Sequence, residues 1–157
     1  MKIVIFETEP REAAAFDALK WDNELVLTEQ PLQADNAAQY ADADIVSTFI
    51  YSKLGRDVLA KLPALKMIAT RSTGYDHIDT EYCAGHGVTV SNVPTYGENT
   101  VADHILLTMP NVIVTPHSAF NSREAIARIV TTTVSNIVSF LDGVSVNVVA
   151  AARGKAS

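Results

Sequence analysis

Four histidines, one cysteine and eighteen carboxylates are the reactive inventory of this 157-residue sequence. Cys83, His77 and His86 are metal-ligating types, but one thiol and two imidazoles on a short helix and its flanks read as surface or core residues rather than a zinc set. Glu98 and Asp103 are not an acid–base pair, because five residues apart on a helix they face in different directions. Gly85-His86-Gly87 precedes a strand instead of opening a helix, and Val90 stands where a third glycine would fall, so it is no dinucleotide-binding fingerprint. Two features remain. The first is Ser72-Thr73-Gly74, a glycine-bearing turn of the kind whose backbone N–H groups can surround a carboxylate. By itself it is also an ordinary strand-ending turn in which glycine supplies a positive φ. Arg71, just before it, can meet an anionic ligand or pair with Asp76 or Asp79. The second is His117, whose imidazole, with an ordinary pKa of about 6.5, suits proton exchange near neutrality.

Hydrophobic patterning supplies the elements that must position these residues. Residues 2–6 form an apolar run, and 11–20 is rich in alanine and leucine, which makes a strand followed by a helix. The rhythm repeats, with strands at Glu24–Leu27, 44–49, 65–70 and 88–92 and helices at 36–40, 56–61 and 80–84. Asp79 is placed to cap the last of these helices, and Gly85 and Gly87 to end it. Such alternation predicts an α/β fold, a parallel sheet covered on both faces. Its ligand crevice lies beyond the carboxyl ends of the strands, at 7–10, 49–53, 71–74 and 94–99. Further on, 98–109 has helical spacing and runs straight into Pro110-Asn111 and the strand-like 112–115. A long amphipathic helix follows at 122–141, ended by Asp142-Gly143, and 150–157 reads as a frayed tail.

A net charge of −6 argues against a protein that neutralises nucleic-acid phosphates. The single cysteine excludes an intramolecular disulfide framework and suits a reducing compartment. MKIVIFETEP matches neither a signal peptide nor an anchor, and no apolar run approaches the roughly 18 residues of a membrane span, so a cytoplasmic location is expected.

The stretch Ala69-Thr-Arg-Ser-Thr-Gly-Tyr-Asp-His-Ile-Asp79, followed by Gly87-Val-Thr-Val-Ser-Asn-Val-Pro-Thr-Tyr96 and Asn99-Thr-Val-Ala-Asp-His104, closely resembles the D-isomer-specific 2-hydroxyacid dehydrogenases, the lactate dehydrogenase-like branch above all. Pro110-Asn-Val-Ile-Val-Thr-Pro-His-Ser-Ala119 resembles the same family's segment around its catalytic histidine. The resemblance implies a flavodoxin-like substrate domain with five parallel strands in an order near 2-1-3-4-5. It implies that the N–H groups of Ser72, Thr73 and Gly74 receive the carboxylate of a 2-oxo acid and that Tyr51 and Tyr96 line the pocket wall. Those two tyrosines, taken alone, read equally as packing rings. By the same resemblance His117 protonates the substrate carbonyl as hydride arrives from NADH.

Family members are longer, because an NAD-binding domain separates the helix beginning near Asn99 from the segment leading to the histidine. Here the two meet at Met109-Pro110, so the chain reads as one domain built from 1–109 and 110–157. The family's arginine and the acid partner of its histidine lie in the missing part. The expected consequences are a chain that holds no NAD tightly, binds a 2-oxo or 2-hydroxy acid weakly and turns nothing over alone. Strand 112–115, deprived of its neighbours, would join the small sheet's edge or mediate dimerisation through 110–118 or exchange of the terminal helix; otherwise the chain is a monomer. The rival reading is a flavodoxin-like carboxylate-binding module without catalysis. Neither a flavodoxin phosphate loop after the first strand nor a receiver aspartate closing the third is present.

Overall fold

Lys2–Ile5, Ile45–Thr48, Met67–Thr70 and Thr89–Ser91 are short runs in which every side chain except Lys2 is buried, whichever way it points. Strands buried on both faces belong inside a covered parallel sheet. The computed structural model, which describes residues 1–95 and 122–151, has that arrangement. Strands β1 (Lys2–Ile5), β2 (Glu24–Leu27), β3 (Ile45–Thr48), β4 (Met67–Thr70) and β5 (Thr89–Ser91) pair in parallel in the order β2-β1-β3-β4-β5. Five strands in that order are what the sequence predicts for a flavodoxin-like sheet.

A sixth strand lies where none was expected. Val148–Ala150 (β6) runs antiparallel beside β5, with Ala150 opposite Val90, so Ala150 belongs to the sheet and not to a frayed tail. Asn147, at φ 51°, makes the preceding turn, and its carbonyl accepts from Asn92 N–H at 3.1 Å. Ser91 Oγ donates to the Val146 carbonyl at 2.8 Å. A three-residue edge strand carries too little pattern to stand out from a small-residue ending.

Alternate residues of each strand face opposite layers. Val4, Val46, Ile68 and Val90 pack with Leu54, Val58, Leu62 and Cys83 beneath α1 (Arg56–Leu59) and α2 (Thr80–Gly85). Ile3, Ile5, Ile45, Met67 and Ala69 pack instead with Phe16, Leu19, Val130 and Ile137. That second layer is the 3-10 helix Ala13–Lys20 and the long helix α3 (Arg123–Leu141). The segments 11–20 and 36–40, expected as helices, are of the tighter 3-10 type, at Ala13–Lys20 and Ala37–Tyr40. Asp79 caps α2 by accepting from Tyr82 N–H at 2.8 Å, and Ser122 caps α3 by accepting from Ala125 N–H at 3.0 Å. Gly143, at φ 83°, closes α3, with Val144 N–H donating to the Ser139 carbonyl at 2.8 Å. Helix α3 packs on the sheet. The expected helix 98–109 and strand 112–115 lie outside the described residues. Among those described, no helix is long and apolar enough to cross a membrane.

At the amino ends of the strands, Asp44 ties three of them together. Its carboxylate accepts from Lys66 Nζ at 2.6 Å and from Lys2 N–H at 2.8 Å. These bonds, Lys66 first, hold its pKa below 3.8 against the opposing effect of burial. A carboxyl depressed in the folded state contributes stability that is present above its unfolded pKa and is lost as pH falls through the folded one. The urea midpoint of the parent chain should therefore drop below about pH 4 more steeply than that of Asp44→Asn. Identical acid limbs in the two proteins would remove this role.

Candidate functional site

The crevice is built by the turns that leave β1, β3 and β4. After β1, Glu7 adopts φ 55°, uncommon for a residue with a side chain. In that conformation its carboxylate reaches the loop after β3. It accepts from Phe49 N–H at 3.3 Å, from Tyr51 and Ser52 N–H at 3.0 Å each, and from the Ser52 hydroxyl. Ser52 Oγ in turn accepts from Leu32 N–H at 2.9 Å. Tyr51 is thus held by its backbone while its ring remains 63% exposed. Sequence reasoning missed Glu7, whose only signal is its place at the carboxyl end of an apolar strand.

Arg71 turns away from solvent and is 2% exposed. Its Nη1 donates to Glu12 at 2.8 Å, and its Nη2 donates to the Phe6 carbonyl and, at 2.8 Å, to that of Glu7. The guanidinium carbon lies 5.8 Å from the ring centroids of both Phe16 and Phe49. Burial pulls its pKa below the ordinary value, opposed by Glu12 and Glu7. The ion-pair partner is therefore Glu12, not Asp76 or Asp79. Strand alternation explains the difference. Thr70 and Ser72 point to the side of His77, whereas Arg71 emerges on the side of Phe16. Asp79 is occupied with Tyr82.

The turn after β4 is braced by its own side chains. Ser72 is buried, and its Oγ donates to the Gly74 carbonyl at 2.6 Å. Thr73 Oγ1 donates to the Val93 carbonyl at 2.9 Å, and Asn92 Nδ2 donates to the Thr73 carbonyl at 2.8 Å. Val93 N–H donates to the Ser72 carbonyl at 3.2 Å. A trans peptide directs the following N–H opposite to a carbonyl so held. The N–H groups of Thr73 and Gly74 accordingly point away from Val93 and Asn92, belong to exposed residues, and donate to no group among the described residues. Gly74 does not have the positive φ that a bland turn reading gave it; the described glycines with positive φ are Gly87 and Gly143. A Cβ there would meet Asp76 at 4.0 Å, an ordinary contact, so local sterics do not demand glycine.

A cleft of about 300 Å³ lies on the other side, bordered by Tyr51, Arg71 and the apolar Ile126 and Ile129 of α3. Four carboxylates, Glu7, Glu9, Glu12 and Glu29, line it against Arg11 and Arg71. An anion gains nothing there, and Ser72, Thr73 and Gly74 do not line it. Two expected site residues, Tyr51 and Arg71, thus meet at this cleft, while the Ser72–Thr73–Gly74 turn stands apart. Tyr96 and His117 lie outside the described residues.

Neither a metal nor a dinucleotide is suited by the groups described. Among these residues no three His, Cys, Asp or Glu side chains converge. Cys83 is fully buried, and burial pushes its thiol up to about 12. His86 stacks on Tyr82 at 3.8 Å between ring centroids. The turn after β1, where a mononucleotide fold presents glycine N–H groups to a pyrophosphate, carries Glu7, Glu9 and Glu12 instead. That donor set does not fit NAD.

The sheet is parallel but for β6 and covered by helices on both faces, and residues 3–150 match the family model described as D-isomer specific 2-hydroxyacid dehydrogenase, catalytic domain. The chain belongs to that family. A D-lactate dehydrogenase of Staphylococcus aureus is 33% identical over 109 residues, which are 66% of this chain and 32% of that protein. The crystal structure of D-lactate dehydrogenase from Aquifex aeolicus, complexed with NAD and lactic acid, matches with a TM-score of 0.60 at 30% identity, over 66% of this chain and 31% of that one. Salmonella D-lactate dehydrogenase shares the fold over 92% of this chain and 57% of its own, at 19% identity and a TM-score of 0.58. The chain spans about a third of the length of the curated relatives it matches.

Proposed function

We propose that this chain is the substrate domain of an NAD-dependent D-2-hydroxyacid dehydrogenase, of the kind that reduces a 2-oxo acid such as pyruvate, and that its turn after β4 receives the substrate carboxylate. The observation that carries the reading is the pair of N–H groups on Thr73 and Gly74 that donate to no described residue, each set by a hydrogen-bonded carbonyl behind it. Partial positive charge on converging amides receives an anion without a buried lysine. The family resemblance proposes Tyr51, on a loop fixed by Glu7, as a pocket wall, but its place at the acidic cleft does not support that role. His117 is the proposed proton donor to the carbonyl, and NADH supplies the hydride in the whole enzyme.

The chain alone lacks the orienting acid for His117 and a glycine cradle for the cofactor, so it is proposed to be catalytically silent. The NAD-binding domain is proposed to be missing at Met109-Pro110. A catalytic-domain match that continues from residue 3 to 150, across that junction and into β6, supports the reading.

Titration with oxamate, followed by ¹⁵N amide spectra, is the test. Shifts should centre on Thr73 and Gly74, and Gly74→Asp, which adds a like charge, should weaken binding about tenfold or more. Shifts centred on the acidic cleft, or none at all, would overturn the assignment. Added pyruvate and NADH should show no absorbance loss above background.

A further inference from the structure

A chain of contacts leads from His77 to the turn. His77 Nε2 lies 3.4 Å from Thr70 Oγ1, Thr70 Oγ1 lies 2.8 Å from Ser72 Oγ, and Ser72 Oγ lies 2.6 Å from the Gly74 carbonyl oxygen. Thr70 and Ser72 are buried and His77 half-buried. The main chain at His77 is held as well, since its carbonyl accepts from Leu54 N–H at 2.8 Å.

Proton counting gives these contacts a direction. A carbonyl oxygen only accepts, and a hydroxyl has one proton to give. Gly74 therefore takes the proton of Ser72, and Ser72 accepts the proton of Thr70. Thr70 then has none left for His77, so the contact between them requires the hydrogen to sit on Nε2. The imidazole heads a one-way relay that ends on the Gly74 carbonyl. Holding that carbonyl inward turns the N–H of Tyr75, in the same trans peptide, the other way.

We infer that His77 is a positioning residue for the carboxylate-receiving turn: its Nε2–H, relayed by Thr70 and Ser72, fixes the Gly74–Tyr75 peptide and presents the Tyr75 N–H as a third donor beside those of Thr73 and Gly74. The inference rests on the substrate-domain reading given above. Among the described residues the Tyr75 N–H, like its two neighbours, donates to no protein group. Burial lowers the His77 pKa below its ordinary 6.5, with Glu7 and Asp76 acting in the opposite sense, so the ring is neutral at physiological pH and its tautomer is a defined property.

Ring nitrogen spectra of the 157-residue chain, with the His77 signals assigned by their loss in His77→Phe, read the relay directly. The proton is expected on Nε2. Ser72→Ala frees the Thr70 hydroxyl to donate toward the ring and should shift the population toward Nδ1–H. A wild-type ring protonated on Nδ1, or a tautomer indifferent to Ser72→Ala, would overturn the relay. In ligand-free spectra the Gly74 and Tyr75 amides should move in His77→Phe and return in His77→Gln, whose amide still donates. Signals that stay put in His77→Phe would again overturn it. With oxamate, Tyr75 should shift along with Thr73 and Gly74, and His77→Phe should bind about fivefold more weakly, with His77→Gln restored. Unchanged affinity in His77→Phe would remove the positioning role. Should oxamate fail to bind the parent chain, the substrate-domain reading falls, while the tautomer and ligand-free amides still decide the relay.

Discussion

Arg71→Ala is expected to lower the folding free energy by about 3–5 kcal/mol, the range for removing one partner of a buried ion pair. The charge left behind is Glu12, whose side chain is only 12% exposed. The Phe6 and Glu7 carbonyls lose their guanidinium donor as well, and the Phe16 and Phe49 rings lose their flanking plane. Because Glu7 positions the loop that carries Tyr51, the damage should spread from the core to the crevice. Urea unfolding followed by circular dichroism measures the loss, and a value under about 1 kcal/mol would mean that the pair is dispensable. Arg71→Lys should restore little, since one ammonium cannot serve Glu12 and two carbonyls in the geometry of a planar fork. Arg71→Ala combined with Glu12→Gln should cost less than the sum of the two, because each single change strands the other's partner.

Ile137→Ala should cost about 2–5 kcal/mol. Ile137 is fully buried and packs with Ile3, Ile45 and Met67, so it is the point where α3 meets the centre of the sheet. Next to it, the buried Asn136 donates to the Asn92 carbonyl at 2.9 Å and accepts from Asn147 Nδ2 at 2.8 Å, which leaves little freedom for α3 to slide and refill the space. If the midpoint shifts while the denaturant slope holds, the helix unfolds together with the sheet. A loss below about 1 kcal/mol would show α3 to be peripheral to the core.

Legibility in the sequence followed the length scale of each interaction. β1, β3 and β4 are short, largely apolar runs between turns, and Asp79 is a short-range capping signal, so all could be read directly. The partner of Arg71 could not, because Glu12 is 59 residues away and becomes a neighbour only when β4 lies two strands from β1. Sequence proximity favoured Asp76 and Asp79, but Arg71 emerges on the side of Phe16 and Asp79 is occupied with Tyr82. The hydrogen-bond partners of Glu7 and His77 were illegible for a similar reason: Ser52 and Thr70 are ordinary polar residues until the sheet aligns them. The Ser72–Thr73–Gly74 turn was located correctly beyond β4, but the basis for its glycine was not, since Gly74 has no positive φ.

The antiparallel strand β6 also has a temporal meaning. β5 has β4 on one side, and its other side is covered by residues that a ribosome adds more than fifty positions later. During synthesis the open β5 edge therefore waits, with Val90 and Ser91 unpaired on that side, until α3 and then Val148–Ala150 have emerged. Truncation a few residues before Val148 would make that transient edge permanent, and a chain so shortened should aggregate through β5 rather than merely lose a tail.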